Sequence, residues 1–158
     1  MNAEEAPKSL ETGLGDRLLE RKLTESIIGC FYEVYNTFGF GLLEKAYAEA
    51  LAFELELRGH AVRREVPTDI VYKGRVVARY KTDLVVDDRV VLEVKSTQRL
   101  NREDPRQLLN FLRATKYEVG LLLHFGPEPA FHRFISTNSD AKKGATQEQG
   151  VRLPRSSV

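Results

Sequence analysis

The sequence predicts an α+β (mixed α/β) domain in which two helices precede a sheet, and a third helix interrupts the order of the strands. Apolar residues recur at helical spacing over residues 24–58, which predicts the first two helices. Valine-rich segments with period-two alternation follow, and Asp104-Pro105 then opens another helical segment. Helices packed against a single sheet accommodate this order of elements.

The composition is that of one globular domain. The chain has 158 residues, of which 42% are hydrophobic and 30% are charged, with a net charge of +1. This charge argues against a protein that coats DNA, but an enzyme that contacts a few phosphates does not need a large one. We expect residues 18–137 to fold, with disordered tails at residues 1–17 and 138–158.

Compartment and cysteine chemistry are also predicted. The sequence has neither a leader-like basic and apolar segment nor an apolar run of the roughly 18–20 residues that cross a bilayer. The lone Cys30 is expected to be a buried, reduced thiol. We therefore expect a cytoplasmic protein without a membrane partner. Three dispersed histidines without cysteine partners argue against structural zinc.

The predicted helices have identifiable ends. The first spans residues 24–38, with Thr24 as its N-cap, and the second spans residues 42–58 and stops at Gly59. The third begins with Asp104 as its N-cap and extends to residue 115.

The predicted strands surround the third helix. Pro67 assigns the first strand region to a sheet edge or a bend, and Lys73-Gly74 indicates a turn after it. Each strand segment is short and is either alternating or wholly apolar, which is typical of strands. These segments are residues 60–66, 68–72, 76–86, 89–96, 118–125 and 130–136.

Alternation fixes the register of the central hairpin. Thr82, Leu84 and Val86 should share one face of their strand, and Asp83 should lie on the other. A two-residue loop would pair Asp83 with a core residue, whereas a three-residue loop over residues 87–89 pairs it with Glu93 and matches the apolar faces. Such cross-strand neighbours have Cβ atoms about 4.5–5.5 Å apart.

A close pair of carboxylates indicates a possible metal site. Asp83 and Glu93 would repel each other unless a cation or a proton lay between them, and Mg²⁺ prefers oxygen ligands. Lys95 points to the same side as Glu93 and could stabilise charge on a phosphate. Alternatively, Asp83 and Glu93 could form ion pairs with Lys81 and Lys95 on a solvated sheet face, and the hairpin alone leaves both interpretations open.

Several motifs now support a family resemblance. Residues 41–47, GLLEKAY, match the pattern that names the GxxExxY family. Residues 80–83 with residues 93–95 resemble the D…ExK signature of the PD-(D/E)XK nuclease superfamily, to which that family is assigned. Residues 107–112 resemble the family's later Q-L-x-x-Y-L helix. The resemblance implies a restriction-endonuclease-like αβββαβ core with an extra N-terminal helix.

The resemblance also implies an activity. It implies a nuclease that depends on Mg²⁺ (or Mn²⁺) and hydrolyses phosphodiester bonds in DNA. Asp83 and Glu93 would be the metal ligands, and Lys95 would be the catalytic lysine. Glu44 would be an accessory acid near the metal, and Gln107 would line the site from the third helix.

The sequence departs from the family pattern at two positions. Phe111 stands where the family often has tyrosine, which removes a hydroxyl, and Thr82 stands where the superfamily's name has proline. Arg99, Arg102 and Arg106 are candidate nucleic-acid-binding residues that could contact phosphates, with a solvated surface as the alternative.

Other interpretations use the same residues. The chain could be a non-catalytic nucleic-acid- or protein-binding module that retains the nuclease fold. It could also act as a homodimer, or as a subunit that works only within a larger complex through the exposed apolar surface of the first helix. Tyr47 could pack in the core instead of contacting substrate, and Glu44 could be an acid favoured by the helix dipole.

Overall fold

The computed structural model describes residues 20–137, so the predicted tails lie outside the described residues. The order of elements within this range is the predicted one, and the α+β fold class is confirmed. The helices and strands are α1 (Arg21–Phe38), α2 (Glu44–Leu57), β1 (Val62–Tyr72), β2 (Arg75–Val86), β3 (Val90–Lys95), α3 (Glu103–Ala114), β4 (Val119–Phe125) and β5 (Pro129–Ile135).

The five strands form one mixed sheet with the order β1-β2-β3-β4-β5. Only the β3–β4 pair is parallel, and the crossover that a parallel pair requires contains α3. Pro67 lies in β1 at the edge of the sheet, as its missing N–H donor requires. Lys73-Gly74 forms the predicted turn, with both residues at positive φ.

Each face of the sheet is covered by helices. The predicted core face packs against α1 and α2, and the other face packs against α3. Val85 and Val91 lie on that second face and are as buried as their neighbours. Both faces of the sheet are therefore covered at the centre of the β2–β3 hairpin. The first core includes Ile27, Phe31, Tyr47, Leu51, Leu84, Leu92 and Leu121, and the second includes Val66, Val85, Val91, Leu108, Phe111, Leu112 and Leu122.

The β2–β3 hairpin has the predicted three-residue loop. Val86 pairs with Val90, and the N–H of Arg89 donates to the carbonyl of Val86 at 3.0 Å. Asp87 and Asp88 adopt φ values of 54° and 57°, which aspartate tolerates better than most residues. The register that brings Asp83 next to Glu93 therefore follows from the apolar pattern and the turn.

His60 anchors this loop to the first helix. Its Nε2 lies 2.8 Å from the hydroxyl of Ser26 in α1, and its Nδ1 lies 2.8 Å from Oδ2 of Asp87. The other oxygen of Asp87 accepts the N–H of Ala61 at 2.8 Å. Burial alone would raise the pKa of Asp87, but these hydrogen bonds and the nearby charge of Arg89 hold it below its usual value.

Two predicted helix starts were wrong by a few residues. The first helix begins at Arg21, so Thr24 lies inside it and is buried instead of capping it. The third helix begins at Glu103, so Asp104 lies in its first turn. Asp104 still satisfies a backbone donor there, because its Oδ2 accepts the N–H of Asn101 at 3.2 Å.

The predicted face of Thr82 was also wrong. Thr82 lies in the wall of a cavity with Leu108 and Phe111 of α3, whereas Leu84 packs on the opposite side with α1 and α2. The face changes between Thr82 and Leu84 although β1 and β2 stay in register there, and Glu65, which lies between their partners Val66 and Arg64, adopts φ 50°.

Cys30 is buried and free, as expected, and burial raises the pKa of its thiol to about 11. No helix within residues 20–137 is long and apolar enough to span a bilayer.

Candidate functional site

The paired carboxylates lie where β2 separates from β3. The last backbone pair between the two strands is Leu84 with Leu92. Beyond it, the side chain of Asp83 takes the place of a backbone hydrogen-bond partner. Oδ2 of Asp83 accepts the N–H of Val94 at 2.7 Å. The carboxyl group of Glu93 is close enough for the charge of Asp83 to raise its pKa. The separation of the strands thus creates a small opening occupied by two acids.

Electrostatics make this opening suitable for a cation. Burial and, second to it, the negative charge of Asp83 raise the pKa of Glu93 to about 8. Burial likewise raises the pKa of Asp83, against the opposing effects of the Val94 N–H and the Lys95 charge. A hard divalent cation such as Mg²⁺ or Mn²⁺ would remove this repulsion, and carboxylate oxygens are the ligands it prefers. The donor set therefore fits such an ion.

Lys95 supplies the positive charge next to the acids. It ends β3 two residues after Glu93, and its charge lowers the pKa of both carboxyl groups. Its Nζ lies 3.8 Å from Oδ1 of Asp104 in the first turn of α3. Lys95 is therefore held between the acid pair and α3.

Glu44 is fixed at the start of α2 by the segment that follows β3. Its Oε2 accepts the N–H of Ser96 at 3.3 Å, and the hydroxyl of Ser96 donates to the carbonyl of Leu42 at 2.6 Å. The chain can make this approach because Gly41 adopts φ 125°, which side chains rarely permit. The loop before α2 and the end of β3 are therefore locked together.

Tyr47 is the internal anchor of the same loop. It is fully buried and stacks on Phe125 with ring centroids 4.2 Å apart. Its hydroxyl donates to the carbonyl of Gly39 and accepts the N–H of Leu42 at 3.2 Å. The packing interpretation of Tyr47 is thus the correct one. The spacing of Gly41, Glu44 and Tyr47 therefore has a physical basis. Gly41 permits the bend, Glu44 faces the site, and Tyr47, one helical turn later, packs in the core and holds the loop in place.

Two cavities border the acid pair. A cavity of about 170 Å³ is lined by Glu93, Lys95 and Gln107, so the structure brings these three predicted residues together. A second cavity, of about 270 Å³, is lined by Glu44 and Asp83. Within residues 20–137, no three His, Cys, Asp or Glu side chains form a ready-made metal cluster.

The predicted arginines lie further out. Arg99, Arg102 and Arg106 are exposed, and none of them lines either cavity. Tyr80 and Asp104 were not predicted as site residues, yet they share the smaller cavity with Glu93. Regular alternation would place Tyr80, three positions before Asp83, on the opposite face of β2, so the sequence carried no local signal for it.

His124 has a structural environment. It is buried beside Lys95 in the parallel register, and its Nε2 lies 2.7 Å from the carbonyl of Thr97. A Cβ atom added to Gly126 would lie 2.6 Å from the His124 ring, which explains why glycine stands there. This contact fixes the chain just after β3.

The fold and the acid-acid-lysine group define a nuclease-type protein. The model of the PD-(D/E)XK nuclease superfamily matches residues 21–134, most of the chain, and the chain belongs to this superfamily. The crystal structure of SSO0001 is similar at 20% sequence identity and a TM-score of 0.46, with 88% of this chain and 71% of that chain covered. No curated protein matches the sequence.

Proposed function

We propose that this protein is a Mg²⁺- or Mn²⁺-dependent nuclease of the GxxExxY type that hydrolyses phosphodiester bonds in DNA. The observation that carries the proposal is the half-buried Asp83–Glu93 pair at the strand opening, with Lys95 beside it. Membership of the nuclease superfamily supports the same activity.

The residues would divide the chemistry as follows. Asp83 and Glu93 would hold the cation, which when bound lowers the pKa of a water ligand and offsets charge on the phosphate. Lys95 would orient the attacking water or stabilise charge on a phosphate oxygen, with its ammonium group positioned by Asp104. Glu44 would act as a positioning residue, through its hydrogen bond to Ser96.

Calorimetric titration of Mg²⁺ and Mn²⁺ tests the metal site. We expect saturable binding to the wild-type protein and none to Asp83→Asn, a variant that keeps an oxygen to accept the Val94 N–H. If neither protein binds the ions, even with DNA present to supply phosphate ligands, the proposed metal site is wrong.

Cleavage of labelled DNA in Mg²⁺ or Mn²⁺ tests the catalytic role of Lys95. Lys95→Ala should bind metal but lose roughly 10²- to 10³-fold in rate, the scale of removing one charge-stabilising donor. Lys116→Ala is a matched control, because Lys116 is exposed and pairs with Asp88, outside both cavities. Metal and DNA binding without cleavage would reject the enzyme and make the chain a nucleic-acid-binding module.

A further inference from the structure

The smaller cavity beside Glu93 has a lining that the proposed hydrolysis does not use. Its walls are β2 around Tyr80, the end of β3, and the face of α3 that carries Gln107 and Phe111. Glu93 and Lys95 lie in the wall, so a group bound in the cavity would be adjacent to the reacting phosphate. The cavity is therefore suited to hold part of the substrate.

The size and chemistry of the cavity select a planar group. Its volume of about 170 Å³ is below the roughly 300–1,000 Å³ of ordinary small-molecule pockets, so it has room for one ring system. Tyr80 and Phe111 supply aromatic surface, while the amide of Gln107 offers both a donor and an acceptor. Aromatic faces combined with an amide are the usual means of binding an unstacked base.

Tyr80 is placed to act as the stacking surface. It is 47% exposed, although it lies next to the buried part of the sheet. Its ring centroid is 6.0 Å from that of Phe111, which in turn stacks on Tyr117 at 6.3 Å. Buried aromatic rings thus support Tyr80 from the protein side, and nearly half of the residue remains accessible.

We propose that this cavity binds one unpaired nucleobase of the strand being cut, with the base stacked on Tyr80 and its edge near Gln107. This inference rests on the proposed nuclease function and specifies its substrate class. A base within a duplex is stacked on both sides and paired, so it would have to leave the helix to enter. The preferred substrate is therefore a single strand or a frayed or flapped end.

Binding of labelled oligonucleotides tests the substrate class, with Ca²⁺ in place of Mg²⁺ to suppress cleavage. We expect the wild-type protein to bind a single strand more tightly than a blunt duplex of the same sequence. Tyr80→Ala should weaken single-strand binding about tenfold, the scale of one base–aromatic stack, and should leave duplex binding nearly unchanged. Tyr80→Phe should keep the wild-type affinity because it keeps the ring.

The matched control is a second tyrosine in the β1–β2 strand pair, at the end of β1. Tyr72 is 45% exposed but does not line the cavity, so Tyr72→Ala should bind as the wild type does. Thermal unfolding of each variant checks that it is folded. Equal loss of affinity in Tyr72→Ala and Tyr80→Ala would overturn the assignment.

Abasic substitution locates the base. In a series of single strands with one abasic position each, one position should weaken binding to the wild type and have no effect on Tyr80→Ala. Such coupling would link this base to this ring. If no position behaves so, or if duplex and single strand are cut equally by the wild type and Tyr80→Ala, the cavity proposal fails while the nuclease proposal stands. If no nucleic acid is bound or cut, the proposed function itself fails.

Discussion

Oδ2 of Asp83 accepts the backbone N–H of Val94 at 2.7 Å, so a candidate metal ligand also takes the place of a strand partner. Replacing Asp83 by alanine removes this acceptor, whereas asparagine retains one, and both changes remove the charge. We expect Asp83→Ala to have a free energy of unfolding about 1–2 kcal/mol below that of Asp83→Asn, because a buried N–H loses its partner. Urea denaturation in EDTA measures the difference, and equal stabilities would show that water replaces the acceptor.

The hydroxyl of Tyr47 should matter for activity although it does not reach the site. Tyr47→Phe keeps the stack on Phe125 but removes the hydrogen bonds to Gly39 and Leu42. We expect a loss of about 1–2 kcal/mol in stability, and a lower cleavage rate because the loop before Glu44 is released. Metal affinity, measured by calorimetry, should change little.

The control for Tyr47 is Tyr117, a buried tyrosine just before β4. The hydroxyl of Tyr117 accepts a hydrogen bond from Arg63 at 3.2 Å, and Tyr117→Phe should cost stability without slowing cleavage. Equal rates for Tyr47→Phe and the wild type would contradict the positioning role of the loop.

Two glycine-to-alanine changes should shift stability in opposite directions. A Cβ atom on Gly120 would lie 3.1 Å from Leu108 and 3.3 Å from Leu112, in the packed contact between β4 and α3. We expect Gly120→Ala to cost about 1–3 kcal/mol through overpacking.

Gly29 lies on the exposed side of α1, where the added Cβ would meet only the flexible end of Arg58 at 3.1 Å. Gly29→Ala should add about 0.5–1 kcal/mol. Thermal and urea unfolding check both signs, and a stabilising Gly120→Ala would show that α3 can move.

The sequence predicted the hairpin well because local rules determine it. Alternation over residues 84–86 and 90–92 admits one register that keeps apolar faces together, and the aspartates of the loop tolerate its positive φ values. The same reasoning failed at Thr82, which lies on the α3 side of the sheet while Leu84 packs on the opposite side. No pattern within β2 indicates this change of face.

The candidate site was predictable only in part, for a similar reason. Asp83, Glu93 and Lys95 share one hairpin, so spacing alone places them together. Tyr80 and Asp104 join them through the packing of α3 on the sheet, a long-range contact without a local signal. The sequence predicted Asp104 as the N-cap of α3, and that role gave no reason to expect its ion pair with Lys95.

Burial raises the pKa of Glu93 from 4.5 to about 8, and the nearby charge of Asp83 contributes, so the metal-free protein should lose stability as pH rises through this range. Between these values the folded state binds a proton that the unfolded chain releases. The stabilising contribution is therefore complete below pH 4.5 and lost above about pH 8. We expect Glu93→Gln to match the wild type at low pH and to become progressively more stable than it towards alkaline pH, as measured by urea unfolding in EDTA.

Addition of Mg²⁺ should reverse the order of stability of the wild type and Glu93→Gln at alkaline pH. Mg²⁺ binds the ionised form of Glu93, so its addition should stabilise the wild type more at alkaline than at acidic pH, and should leave Glu93→Gln nearly unchanged. Binding near neutral pH should also release protons, which calorimetry detects as a dependence of the binding enthalpy on the buffer. A wild type whose metal-free stability is flat across this pH range would mean that Glu93 is ionised without a cation. The strand opening would then be more hydrated than its burial indicates, and the repulsion that favours a metal there would be weak.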